Sequence, residues 1–213
     1  TVTYDLSIVP LFVLMGAVAA RSGLSQELYA AFNAWIGSFR GGLALATIGA
    51  CGAFAAICGS SVATAATMSK VALPEMERYN YKDSLATGSV AAGGVIGIMI
   101  PPSVVLVLYG ILTETSIGDL FIAGFVPGIL TVFGFMGAIA IVTRIWPDLG
   151  APGPTSTLRV KVQALGKTWG TLVLFALVIG GIYFGVFTPT EAAGVGAVGA
   201  FVISAARGRL AWE

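Results

Sequence analysis

The chain has 213 residues, of which 57% are hydrophobic and 10% are charged, and its formal net charge is +1. Soluble domains are typically about 45–50% apolar and about 25% charged, so the composition indicates an integral protein of a lipid bilayer. The sequence has no basic patch interleaved with aromatic residues, which excludes a nucleic-acid-binding protein. Because it has no histidine, it cannot form a Ser-His-Asp triad or an imidazole metal site, and we expect neither an enzyme nor a bound cofactor.

The apolar segments differ in length, and this difference predicts their arrangement. A helix needs about 20 apolar residues to cross a bilayer. The segment 42–73 is too long for one crossing, and Gly59-Ser60-Ser61 divides it into two arms that are each too short to cross. We therefore expect an all-α, polytopic helical membrane protein with a re-entrant helical hairpin at 42–73. In chain order, the segments are 7–20, a weaker amphipathic stretch at 27–39, 42–73, 84–113, 120–146, 168–187 and 190–206.

The segment 84–113 contains a second interruption, Gly97-Ile98-Met99-Ile100-Pro101-Pro102-Ser103. Its two prolines remove two backbone donors, so this segment is predicted to be a broken transmembrane helix. Non-helical backbone is tolerated at membrane depth only where it is buried in protein or lines a polar cavity. Both interruptions are therefore candidate binding sites. The structural alternative is that small residues here, including the Gly93-x-x-x-Gly97 spacing, only let membrane helices pack closely.

The distribution of charge supports the hairpin. If the hairpin returns to its own side of the membrane, nine of the eleven basic residues fall on one side. Lys and Arg collect in cytoplasmic loops, so we expect that side to be cytoplasmic. The opposite side then holds the connections 114–119 and 187–191, which contain no Lys or Arg. The nine basic residues are Arg40, Arg78, Lys82, Arg144, Arg159, Lys161, Lys167, Arg207 and Arg209.

Three shorter signals concern local structure. Residues 147–154 are rich in Pro and Gly and predict a linker, and 155–167 is expected to be a short helix at the membrane interface. Cys51 and Cys58 are about 10 Å apart along a helix, too far for a disulfide. Glu191 begins the last segment, where we expect it to cap the helix rather than to relay protons.

Each interruption offers oxygen atoms together with a helix N-terminus. Ser60 or Ser61 can cap the second hairpin arm, whose N-terminal amides favour an anion such as a carboxylate. The carbonyl groups near Cys58 and Gly59 are freed by the first break and suit a small cation. An oxygen site without a nearby carboxylate favours a weakly held monovalent ion, and sodium is the candidate. Further oxygen atoms come from the hydroxyls of Ser60, Ser61 and Ser103 and from the carbonyls near Gly94, Gly97 and Ile100.

Four stretches carry a family pattern: residues 59–76 (GSSVATAATMSKVALPEM), 97–109 (GIMIPPSVVLVLY), 120–128 (LFIAGFVPG) and 187–193 (FTPTEAA). They resemble the large membrane subunit of tripartite ATP-independent periplasmic (TRAP) transporters, in matching order over nearly the whole chain. The resemblance implies a sodium-driven importer of small carboxylate solutes in the bacterial inner membrane. It also implies a small membrane subunit, separate or fused, and a soluble periplasmic binding protein as partners. The implied mechanism is an elevator, in which a transport domain with two hairpins slides against a scaffold.

Carried over residue by residue, the resemblance gives two sets of site residues. The sodium site would be formed by Ser60, Ser61, Gly94, Gly97, Pro101 and Ser103, with no other metal. The substrate would contact Ser61, Thr64 and Ser103.

The resemblance also divides the chain into regions. Residues 1–41 would be scaffold or arm helices, 42–118 the hairpin and broken helix of the transport domain, and 119–167 a connecting span with an interfacial helix. Residues 168–213 would begin a second half. Relative to the family, we expect opening spans before Thr1, and a second hairpin and a second sodium site beyond Glu213. The 213 residues alone are therefore not expected to transport.

Two other functions remain open from the sequence. One is a stand-alone sodium- or proton-coupled anion carrier with a similar broken-helix hairpin but no binding protein. The other is a structural membrane subunit whose Gly-rich segments only pack against partner helices. Dependence on a soluble solute receptor would separate a binding-protein-dependent transporter from the stand-alone carrier. Stability that does not respond to sodium would favour the structural subunit.

Overall fold

The computed structural model describes residues 7–208, and the regular secondary structure within them is entirely helical. This agrees with the predicted all-α class. A π-helical turn lies at Ala176–Gly180, and a short 3₁₀ turn lies at Pro147–Leu149. The helices are α1 (Ile8–Arg21), α2 (Leu24–Ile36), α3 (Gly42–Cys58), α4 (Ser61–Arg78), α5 (Asp83–Ile96), α6 (Val104–Thr113), α7 (Ile117–Ile145), α8 (Leu158–Lys167), α9 (Trp169–Tyr183) and α10 (Pro189–Ala206).

The helix α3 forms the centre of the protein. All its residues except Ala53 are buried, and it contacts α1, α2, α4, α5, α7 and α9. A helix that is apolar on every side either crosses a membrane facing lipid or lies inside a protein core, and α3, with 17 residues nearly all buried, is of the second kind. The first arm of the predicted hairpin is therefore the core around which the other helices pack.

The predicted hairpin is present as the pair α3 and α4. The helix α3 ends at Gly59, which has a φ of 66°, and α4 begins after Ser60. The two helices pack against each other, and the backbone N–H of Leu43 donates a hydrogen bond to the hydroxyl of Tyr81 at 3.2 Å. The chain therefore returns to the end from which it started. The second arm continues to Arg78, past the predicted limit at residue 73, because the helix passes through Pro74 into a polar last turn.

The predicted broken helix is also present. The helix α5 ends at Ile96, residues 97–103 are not α-helical, and α6 begins after Ser103. The helix α5 packs against both arms of the hairpin. The second interruption is thereby brought next to the tip of the first.

Connections gather at two opposite ends of the helix bundle. At the basic end, the linker 147–154 joins the α2–α3 turn, where Gly41 N–H donates to the carbonyl of Gly150 at 3.2 Å. It also joins the α4–α5 turn, where the Tyr81 hydroxyl donates to the carbonyl of Ala151 at 2.8 Å. Burial raises the pKa of Tyr81, so the phenol stays protonated and keeps donating. At the other end, residues from 114–118 and 187–190 line one pocket, as expected for two connections on the same side.

Two helices are long and apolar enough to cross a membrane, or up to four if each of two bent pairs is one span, within residues 7–208. The helices are α7 and α10, and the pairs are α1 with α2, bent by 63°, and α8 with α9, bent by 44°. The amphipathic stretch predicted at 27–39 forms α2, which begins earlier, at Leu24. The interfacial helix predicted at 155–167 begins at Leu158, because 150–157 continues the extended linker.

Two smaller predictions are confirmed. Cys51 and Cys58 are buried free thiols. Glu191 caps α10, since its carboxylate accepts a hydrogen bond from the Thr188 backbone N–H at 2.8 Å while the Thr188 hydroxyl accepts from the Glu191 N–H at 3.3 Å. This reciprocal arrangement is a capping box.

Candidate ion and substrate site

The two helix breaks are in direct contact. The carbonyl of Gly59, at the first break, accepts a hydrogen bond from the N–H of Val104 at 3.2 Å. A Cβ atom added to Gly59 would lie 2.5 Å from the carbonyl oxygen of Pro102. Gly59 also has a positive φ, so only glycine fits the first break against the second. The approach of these two backbones creates the site.

Three oxygen atoms converge beside Gly97. A Cβ atom added to Gly97 would lie 2.7 Å from the hydroxyl of Thr64, 2.8 Å from the carbonyl oxygen of Ser60 and 3.0 Å from the carbonyl oxygen of Gly94. We call these three oxygen atoms the Gly97 cluster. They come from both breaks, and any side chain at residue 97 would fill the space between them.

The hydroxyl of Thr64 is the unusual member of this cluster. Thr64 is fully buried, and its oxygen makes no hydrogen bond to a nitrogen or oxygen atom of the described residues; it lies near the thiol of Cys58, which is only a weak donor. A buried hydroxyl without a partner costs about 1–3 kcal/mol, so such a group calls for an explanation. A bound cation or a polar ligand group beside Gly97 would provide the missing interaction.

The serine before each second half-helix acts as an N-cap. The Ser60 hydroxyl accepts from the N–H of Ala63 at 3.4 Å, which confirms the predicted cap of the second hairpin arm. The Ser103 hydroxyl accepts from the N–H of Leu106 at 3.4 Å and also donates to the carbonyl of Ile98 at 2.7 Å. The Ser103 hydroxyl thus already makes two hydrogen bonds, one as a donor and one as an acceptor.

The structure brings most of the predicted site residues together. Ser61 joins the group through its carbonyl oxygen, which would lie 3.4 Å from a Cβ atom on Gly94, and its side chain is half-buried. Ser103 stands beside the first break, with its Cα 3.6 Å from a Cβ atom on Gly59. The ring of Pro101 lies 3.6 Å from a Cβ atom on Gly124 of α7, and the place of the Pro101 carbonyl in the ion site stays a prediction.

Two features of the site differ from what the sequence predicts. The carbonyl of Gly59 was expected to face a cation, but it binds Val104, whose N–H is unpaired within the first turn of α6 and takes the nearest acceptor. Thr64 was expected to contact substrate, and the structure places its hydroxyl beside the carbonyls of Ser60 and Gly94. The spacing of four residues between Ser60 and Thr64 could have indicated this, since the side-chain hydroxyl of residue i+4 in a helix lies near the backbone carbonyl of residue i.

The Gly97 cluster consists of neutral oxygen atoms. Within residues 7–208, no group of three or more His, Cys, Asp or Glu side chains could hold a metal ion. Calcium and magnesium usually recruit carboxylates, so neutral hydroxyl and carbonyl oxygens fit a weakly held monovalent cation better.

Comparison with known proteins places this architecture in a family. A family model described as the DctM component of the tripartite ATP-independent periplasmic transporter matches residues 2–213. The chain belongs to this family. The resemblance carried by the sequence motifs is therefore confirmed over almost the full chain.

Individual relatives agree with the family. The chain is 45% identical over 195 residues to the C4-dicarboxylate TRAP transporter large permease protein DctM of Pseudomonas aeruginosa, covering 92% of this chain and 45% of the relative. It is 38% identical to the protein of the same name from Vibrio cholerae, covering 94% and 44%. It is 31% identical to the sialic acid TRAP transporter permease protein SiaT of Haemophilus influenzae, covering 94% and 32%.

The chain spans less than half the length of each of these three relatives. They are named as transporter permease proteins, which agrees with the expectation that the chain is not an enzyme.

Proposed function

We propose that the chain is part of a large permease subunit that imports small carboxylate solutes, driven by sodium, across the bacterial inner membrane. A periplasmic binding protein would deliver the solute, and a small membrane subunit would complete the assembly. The observation that carries the proposal is the buried, partnerless hydroxyl of Thr64 beside the carbonyls of Ser60 and Gly94. Two helix breaks that supply such oxygens are the usual construction of an ion-coupled transport site.

The cation and the anion have separate roles in this proposal. Sodium would be held by the Gly97 cluster, with further oxygens from Ser61 and Ser103. The substrate carboxylate would be attracted to the N-terminal amides of α4, which has 18 residues and begins at Ser61. Sodium bound beside this N-terminus would add positive charge, so the anion would bind more tightly when sodium is present.

The proposed mechanism is an elevator in which 42–118 moves against the remaining helices. The hydrogen bond from Val104 to Gly59 supports movement as one unit, because it fastens the two breaks to each other. The contact of this unit with α7 runs over small residues. A Cβ atom on Gly124 would lie 3.2 Å from the carbonyl of Met99, and one on Gly128 would lie 2.7 Å from Ile100. Such smooth surfaces let helices pack closely without interlocking side chains.

The names of the relatives suggest which solutes to test first. Three relatives that are 36–45% identical are named for C4-dicarboxylates. Others at 31–36% identity are named for isethionate, sialic acid or ectoine. We therefore place C4-dicarboxylates first in a substrate panel, followed by the other named solutes.

The test is uptake of radiolabelled solute into proteoliposomes that contain the complete large subunit and its small partner. Uptake is measured with and without an inward sodium gradient and with and without the binding protein. We expect accumulation only when both are present. Uptake with sodium alone would indicate a stand-alone carrier, and no uptake over the whole panel would favour a structural subunit.

Two glycines, Gly97 directly after α5 and Gly88 within it, test the location of the site in this assay. In Gly97→Ala, the added Cβ would press on Thr64 and Ser60, so we expect sodium-driven uptake to fall at least about tenfold. Gly88→Ala is the matched control, because a Cβ there has nothing within 4 Å, and it should transport normally. Equal uptake by the two variants would contradict the assignment of the Gly97 cluster.

A further inference from the structure

A pocket of about 420 Å³ lies at the basic end, between the α2–α3 turn and the last turns of α7. The hydroxyl of Thr143 lies 3.4 Å from the carbonyl of Arg40, and a Cβ atom on Gly41 would lie 2.6 Å from the Thr143 methyl group. This close approach places the side chains of two arginines around one pocket. The lining residues are Phe39, Arg40, Leu45, Ala140, Thr143 and Arg144.

The positive charge of this pocket is not balanced within the described part of the chain. The ion pair present in residues 7–208 joins Arg207 to Glu27, and it includes neither Arg40 nor Arg144. Two cations around one pocket raise its positive potential and attract an anion.

Helix dipoles account for only one of the two arginines. Arg144 lies in the last turn of α7, where a cation is favourable. Arg40 precedes Gly41, the N-cap of α3, and a cation near a helix N-terminus is unfavourable. An anion held in the pocket would offset this cost.

The surroundings of the pocket indicate the boundary of a bilayer. The helix α7 has 29 residues, which at 1.5 Å per residue is about 43 Å, longer than a hydrocarbon core of about 30 Å. Its last turn therefore reaches the headgroup level. Apolar side chains that are 57–61% exposed flank the pocket, among them a tryptophan of the kind enriched at membrane interfaces. They are Phe39, Ile141, Ile145 and Trp146.

We propose that Arg40 and Arg144 bind the phosphate-containing headgroup of an anionic phospholipid, whose acyl chains lie along the exposed face of α7. Guanidinium groups match phosphate oxygens in charge and in planar geometry. Basic pockets between membrane helices on the cytoplasmic side are suited to such headgroups. The inference does not depend on the transported solute or the coupling ion.

The test is native mass spectrometry of the complete permease assembly, purified in mild detergent and titrated with dioleoylphosphatidylglycerol or dioleoylphosphatidylcholine. We expect the unchanged assembly to retain phosphatidylglycerol in preference to phosphatidylcholine. In Arg40→Gln/Arg144→Gln, this preference should fall at least about tenfold, since each basic residue contributes near a membrane surface. Arg40→Lys/Arg144→Lys keeps the charge and should retain part of the preference.

The matched control is Arg78→Gln/Arg159→Gln, which removes two exposed basic residues outside the pocket and should leave the lipid preference unchanged. The same loss in this control and in the pocket variant would mean a diffuse surface effect and would overturn the proposal. So would equal retention of both lipids by the unchanged assembly. Displacement of the lipid by inorganic phosphate at equal concentration would show that the pocket serves a soluble anion instead. Circular dichroism confirms that each variant is folded.

Discussion

The two helix breaks have nearly the same cap and different surroundings. Ser60 has φ and ψ of −135° and 125°, Ser103 has −128° and 125°, and each accepts a hydrogen bond at 3.4 Å from the N–H three residues later. At the second break, the capping hydroxyl also donates to Ile98, and the serine is fully buried. At the first break, the next turn leaves Thr64 without a partner. At the second break, the capping hydroxyl is thus already engaged in two hydrogen bonds. At the first break, the hydroxyl of Thr64 remains free to bind a ligand.

The largest expected effect comes from separating the breaks with Gly59→Ala. The φ of 66° costs a non-glycine residue about 1–2 kcal/mol, and the Cβ would also press on the backbone of Pro102, which cannot move aside cheaply. We expect a loss of about 3 kcal/mol in the free energy of unfolding. The measurement is thermal unfolding of the complete assembly in detergent.

Gly185→Ala separates the two causes of this loss. Gly185 has a φ of 68°, but a Cβ there has nothing within 4 Å, so this control carries the backbone strain without the contact. It should lose only about 1 kcal/mol. Equal losses in both variants would mean that the contact between the breaks contributes nothing to stability.

A smaller effect distinguishes the two caps. Ser60→Ala removes a cap and should cost about 1 kcal/mol. Ser103→Ala removes a cap and also leaves the carbonyl of Ile98 without its donor, so it should cost about 2 kcal/mol. Unfolding of both variants under the same conditions measures the difference. A larger loss of stability in Ser60→Ala than in Ser103→Ala would contradict the conclusion that the Ser103 hydroxyl makes the additional hydrogen bond that stabilises the second break.

The sequence predicted where the breaks occur because the signals are local. Gly59 followed by Ser60 ends one helix and caps the next, and Pro101 with Pro102 cannot continue a helix. The return of the hairpin could be predicted from the basic residues at its two ends, Arg40 and Arg78. The start of α8 at Leu158 was missed although the sequence carried a signal for it, since 155–157 is Thr-Ser-Thr, residues that favour caps and turns, and Thr157 is the extended N-cap residue of α8.

The details of the site could not be predicted in the same way. The bond from Val104 to Gly59 depends on how two distant backbones meet in space, and periodicity says nothing about this. The contact of the Pro101 ring with Gly124 of α7 likewise follows from tertiary packing and has no counterpart in the sequence pattern. Sequence spacing identifies which residues interrupt a helix, whereas the direction of each group depends on tertiary packing.

Thr64→Val is expected to give the smallest change in stability, and it tests the difference between the two helix breaks most directly. Valine has nearly the shape of threonine, and removing a buried hydroxyl without a partner should leave stability in potassium salt unchanged or slightly higher. Sodium binding should weaken about tenfold, so the rise in melting temperature on replacing potassium with sodium should shrink. Thr67→Val, on a half-buried turn of the same helix, should keep the full sodium response.

A variant that becomes less stable in both salts would show that the Thr64 hydroxyl has a structural role. A normal sodium response in Thr64→Val would place the ion elsewhere. Removing a cap or a packing residue lowers stability in both potassium and sodium salts. Unchanged stability in potassium together with a lost stabilisation by sodium is therefore expected only for a group that binds the ion.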